Sequence, residues 1–127
     1  IMGSRNGQTS LYLWYALRKK GYDGIKKEVF DSINNANYLN SKMRENNILS
    51  FINENSSTVV FEKPNNIDFI KKWQLACESD IAHVIVMPNI TKDKIDIFVN
   101  EFLECISLYG HTDILQEGQL EKLKSTI

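Results

Sequence analysis

Ile81-Ala82-His83-Val84-Ile85-Val86-Met87 decides how this chain is read. Six of its seven residues are apolar and there is no polar alternation. Asp80 precedes it, and Pro88-Asn89 follows. An apolar run of this length between turn signals predicts a strand buried on both faces. Successive side chains alternate, so His83 shares a face with Ile81, Ile85 and Met87. A strand buried on both faces needs cover on both sides, and the neighbouring sequence offers cover for only one.

Upstream, Gly3-Ser4-Arg5-Asn6-Gly7-Gln8-Thr9 is a polar, glycine-bracketed loop, with Thr9 or Ser10 as the expected helix cap. Leu11-Tyr12-Leu13-Trp14-Tyr15-Ala16-Leu17 then predicts a helix ending in Arg18-Lys19-Lys20 and Gly21. That helix is apolar all round and too short to span a bilayer, so protein must enclose it. An outside partner is the simpler source of that cover. Tyr22-Asp23-Gly24 reads as a turn. Ile25, Val29, Ile33, Ala36, Leu39 and Met43 mark one stripe of a long amphipathic helix ending at Asn46-Asn47.

Ile48 to Ile52 and Thr58 to Glu62 are short strands, the second rich in β-branched and aromatic residues. Asp68 to Glu78 reads as a helix with Phe69, Ile70, Trp73, Ala76 and Cys77 on one side. Thr91 caps a last helix whose stripe is Ile95, Phe98, Val99, Phe102, Leu103 and Ile106, closed by Gly110. The expected fold class is α+β: a small, mainly antiparallel sheet with helices on one face. Residues 111–127 are expected to be a polar tail with a few leucines.

Composition bounds the function. The 127 residues are one domain's worth, with 43% hydrophobic and 24% charged residues and a net charge of -1. That balance gives no electrostatic case for nucleic acid or an acidic membrane surface. Two cysteines, Cys77 and Cys105, are too few for a disulfide framework or a metal motif. They read as core thiols in a reducing, cytoplasmic compartment. Ile1 stands before Met2, which points to a cut from something longer. There is no nucleophile elbow, Walker loop or dinucleotide fingerprint, and His83 and His111 lack partners at ligand spacing. From the residues alone, the loop around Ser4 and Arg5 is either an anion site at a helix N-terminus or a plain helix entry. His83 is either a functional imidazole or a core histidine bonded to backbone.

Resemblance carries further. Ser4-Arg5-Asn6-Gly7, Leu13-Trp14-Tyr15-Ala16-Leu17 and Lys20-Gly21-Tyr22 resemble a segment of pyridoxal-phosphate-dependent group II amino-acid decarboxylases. The branch is that of histidine and serine decarboxylases. Asn34 to Leu39, Ser56 to Pro64, Lys72 to Glu78 and Asp80 to Asn89 resemble it in the same order. Gln8 departs from the branch, which usually has a histidine there.

The resemblance implies the C-terminal part of a fold-type I enzyme that works as a homodimer on an amino-acid substrate, with residues 1–24 as the end of the large domain and the connecting helix and residues 25–110 as the C-terminal small domain. Histidine is the first expectation for that substrate, and serine or another small amino acid is the alternative. A non-enzymatic dimerisation or binding module is a third possibility. The resemblance also implies that pyridoxal 5'-phosphate, the electron sink of such a reaction, is held mainly by a large domain. None of the lysines here matches the family's Schiff-base lysine, so the chain alone is expected to be inactive. Ser4 and Arg5 are the implied contacts to the cofactor phosphate. His83 aligns with a strand position at which related decarboxylases place an arginine near the substrate carboxylate.

Overall fold

The computed structural model describes residues 6–110. Seven elements follow in order: α1 (Gly7–Glu45), β1 (Ser50–Ile52), β2 (Thr58–Glu62), α2 (Ile67–Trp73), β3 (Ala76–Glu78), β4 (Ile81–Ile85) and α3 (Lys92–Tyr109). The four strands form one antiparallel sheet in the order β1-β2-β4-β3. The α+β expectation therefore holds, with the helices gathered on one sheet face.

The register explains that gathering. Val59 and Phe61 of β2, with Ala82 and Val84 of β4, point toward the helices and join one core. The second half of α1 supplies Ala36, Leu39 and Met43 to it, and α3 supplies Ile95, Phe98, Val99 and Phe102. At its centre Phe61 meets Phe102 edge-on, with ring centroids 5.6 Å apart, and Phe69 of α2 lies 5.5 Å from Phe102. Aromatic rings prefer such offset and edge contacts, and their large area dominates burial in a small core. On the opposite sheet face, Phe51 and Val60 make a second, smaller buried cluster with Leu49 and Ile81.

Polar clamps fix how the layers sit. The Tyr38 hydroxyl of α1 donates to Asp96 of α3 at 2.8 Å, and that bond raises the phenol's pKa. Asn35 of α1 donates to the Ile90 carbonyl at 2.9 Å, just before α3. Ser50, buried at the start of β1, donates to the Asn40 side chain at 2.9 Å.

Several expectations need correction. The two N-terminal helices are one element, α1, kinked at Gly21 (φ 64, ψ 179). Residues 22–24 are helical rather than a turn, and Asn6 is the cap, its side chain accepting from the Gln8 N–H at 2.9 Å. The helix read from Asp68 to Glu78 stops at Trp73, because Gln74 takes the left-handed conformation (φ 51, ψ 45). Ala76, Cys77 and Glu78 then form strand β3, and Cys77 is exposed rather than in the core. Lastly, β4 is not buried on both faces: Ala82 is fully buried, but Ile85 is 55% exposed. Cys105 does lie in the core, where burial raises its thiol pKa.

Candidate functional site

His83 sits at the middle of β4, paired with Val60 on one side and Ala76 on the other. The strand β3 is only three residues long and begins at Ala76. Beyond that point the edge of β4 is open, and a cavity of about 360 Å³ forms there. Trp73, Leu75, Ile95 and Phe98 make apolar wall, Gln74 and Lys94 line it beside them, and the His83 stretch of β4 borders it, with the alternation of the strand placing the His83 side chain on the opposite sheet face from Ala82 and Val84. The left-handed turn at Gln74 creates this opening by ending α2 early and starting β3 late.

The imidazole of His83 is half-buried and makes no hydrogen bond among the described residues. A core histidine bonded to backbone is therefore not what this position shows. Trp73, on the cavity wall, is held by its indole N–H donating to Glu101 at 2.9 Å. Lys72 reaches the other Glu101 oxygen at 2.7 Å. Together these two donors lower the Glu101 pKa, Lys72 contributing most. Sequence reasoning missed Gln74, Lys94 and this bracing of Trp73. Only Trp73 carried a signal, as part of an apolar stripe.

A second cleft of about 220 Å³ lies between α1 and the loops at one end of the sheet. Ile25, Glu28 and Val29 of α1 face Ser57, Met87 and Pro88 across it. Ser4 and Arg5 lie outside the described residues, as does His111. Their described neighbours Asn6, Gly7 and Gln8 are exposed at the start of α1 and line neither cleft. Among the described residues there is no group of three metal-ligating side chains. No described helix is long and apolar enough to cross a membrane.

No family model matches the sequence. Individual proteins do. Over 104 residues the chain is 54% identical to serine decarboxylase 1 of Oryza sativa subsp. japonica, covering 82% of this chain and 22% of that protein. It is 42% identical to a histidine decarboxylase of Solanum lycopersicum, over 82% of this chain and 25% of that one. Among solved structures, L-methionine decarboxylase from Streptomyces sp. 590 superposes with a TM-score of 0.73 at 26% identity, covering 88% of this chain and 25% of that one. The chain matches part of amino-acid decarboxylases. It spans about a quarter of the length of the curated relatives it matches.

Pyridoxal phosphate can be tested against the residues described. Its ring nitrogen calls for a carboxylate and its carbonyl carbon for a lysine. The cavity at His83 has Lys94 but no carboxylate on its wall, and the cleft at Val29 has Glu28 but no lysine. The described residues do not fit the cofactor as a complete site.

Proposed function

We propose that this chain is the C-terminal part of a pyridoxal-phosphate-dependent amino-acid decarboxylase, with serine its substrate. The observation that carries this reading is the 54% identity to a serine decarboxylase over 82% of the chain. The fold shared with L-methionine decarboxylase supports the same reaction class. Histidine is the second substrate reading, favoured by 42% identity to the tomato histidine decarboxylase and 33% identity to that of Vibrio anguillarum.

In this proposal residues 1–24 are the end of a large domain that holds the cofactor, with its connecting helix, and residues 25–110 form the C-terminal small domain. Ser4 and Arg5 contact the cofactor phosphate. His83 orients the substrate carboxylate. Its half-buried ring, unbonded to the described residues, supports that role. An imidazole held so has a free N–H to offer a carboxylate. The enzyme works as a homodimer in the cytoplasm.

The test is the complete natural polypeptide, purified with pyridoxal phosphate and assayed for amine release. Ethanolamine from serine is expected, and histamine from histidine is the result that reverses the order of the two substrates. Release of neither amine, or a natural polypeptide no larger than 14.7 kDa, overturns the decarboxylase reading. His83→Ala should lower turnover while the cofactor's absorbance is retained. Unchanged turnover would remove His83 from the site.

A further inference from the structure

The cavity of about 360 Å³ at the open edge of β4 has the make-up of a small-molecule site. Such sites are concave and mostly apolar, with a few polar groups that fix orientation. Leu75, Val86, Ile95 and Phe98 line this one and are each at most 8% exposed. Trp73 and Ile90 complete the apolar wall and are half-buried. Val84, on the helix-facing side of β4, contributes from the sheet. No carboxylate lies on the wall.

Three polar groups border it. Lys94 is exposed in the first turn of α3, where the helix dipole disfavours a cation. Lys92, in the same turn, lies over the Tyr38 ring at 5.2 Å. Lys94 has no ion pair or ring contact among the described residues. Gln74, at the left-handed end of α2, brings an exposed amide. The third group is backbone. The Val86 N–H donates to the Ser57 carbonyl at 2.8 Å, on the β2 side. Backbone groups alternate in direction along an antiparallel strand. Those of Ile85 therefore point the other way, to the β3 side. There β3 pairs with β4 only as far as Ala76 with His83, so no strand takes up the Ile85 N–H.

We infer that this cavity binds a small monocarboxylate with an apolar tail. The tail fills the space between Trp73, Ile90 and Phe98. The carboxylate takes the Lys94 ammonium and the Ile85 N–H, with the Gln74 amide as a further donor. One cation, one backbone N–H and one amide match a single negative charge. A phosphate dianion calls for more donors than these three residues supply. An added peptide strand is a poorer fit, because the open edge offers one rung only. Beyond Ile85 the Met87 carbonyl already accepts from the Ile90 N–H at 2.9 Å, and Pro88 follows. The site goes beyond the decarboxylase reading and does not rest on it.

The test is isothermal titration calorimetry of the complete polypeptide, purified with pyridoxal phosphate. Octanoate is the probe and octanamide its neutral counterpart. Saturable binding of octanoate is expected, with a dissociation constant of about 0.1 mM. The amide is expected to bind about tenfold more weakly. Lys94→Gln changes an exposed side chain and should leave the fold intact. It should weaken octanoate about tenfold and leave octanamide unchanged. Val84→Phe and Ile90→Phe each place a ring in the cavity and should abolish binding of both probes. That arm is read on whichever variant keeps the parent's thermal midpoint, and Lys94→Gln decides alone if neither does. Octanoate that never saturates overturns the site. Equal binding of acid and amide overturns the carboxylate assignment. Undiminished octanoate binding by Lys94→Gln puts the ligand elsewhere and overturns the proposal.

Discussion

The indole nitrogen of Trp73 and a carboxylate oxygen of Glu101 lie 2.9 Å apart, tying the end of α2 to the middle of α3. The other Glu101 oxygen takes Lys72 at 2.7 Å, so one carboxylate receives two donors from one helix end. Both donors favour the charged form, which is why the Glu101 pKa is lowered. The consequence for stability has a definite sign. The unfolded chain takes up the proton first, near the ordinary value of 4.5. Stability from this group is therefore complete above that pH and is lost as pH falls through the lower folded value. Glu101→Gln should leave a shallower acid limb in urea midpoints compared between about pH 7 and about pH 3. Because the pair is partly exposed, solvent screening holds the loss near pH 7 to about 1 kcal/mol. Identical acid limbs in variant and parent would sink the idea.

Phe102 is fully buried and edge-on to Phe61, with Phe69 and Phe98 beside it. Phe102→Ala removes a ring at the point where β2, α2 and α3 meet. The expected loss is about 3–5 kcal/mol, a large share of a small domain's total stability. Thermal unfolding reads it directly. Phe102→Leu, which refills part of the space, should recover more than half of that loss.

Gly21 is the one residue inside α1 with non-helical dihedrals. No atom within 4 Å would meet a Cβ there, so the restriction is backbone conformation and not space. Gly21→Ala should cost about 1–3 kcal/mol wherever the kink is held by the surrounding structure. The measurement is the urea midpoint of the complete polypeptide. A neutral effect would mean that the first half of α1 is free to straighten.

What the sequence revealed, and what it hid, follows from where local signals agree with tertiary ones. The stripe in α3 was legible because four of its residues, Ile95, Phe98, Val99 and Phe102, are buried in the core and Thr91 caps the helix as its type demands. The strand Thr58–Glu62 was legible from β-branched and aromatic residues. The hairpin of β3 and β4 was not, because its two turn residues are Ser79 and Asp80. Ser79 sits at φ 50 without being the glycine or asparagine that usually marks such a position. Gln74 hid the end of α2 in the same way: its left-handed cap has no glycine to announce it. With β3 unread, the cavity at the open edge of β4 had no basis in the sequence. His83 itself stood out as the one polar residue in an apolar run, but its half-buried setting depends on that unread strand.

The two cysteines provide a contrast that tests the reassigned strand. Read as a helix, residues 68–78 would turn Cys77 inward; read as β3, they turn it to solvent. Cys105 stays in the core on α3, where burial raises its thiol pKa and so depletes the reactive thiolate. A maleimide added at about neutral pH should therefore label one thiol per folded chain within minutes, and peptide mapping should find it on the segment containing Cys77. Cys105 should label only after denaturation. Cys77→Ser should abolish fast labelling, whereas Cys105→Ser should leave it intact and destabilise the core by about 1 kcal/mol through a buried hydroxyl in place of a thiol. Slow labelling at both positions in the folded separate chain would return residues 76–78 to the interior. In the complete polypeptide the same labelling has a second use: protection of Cys77 that is absent from the separate chain would show that the outer edge of the sheet is covered there.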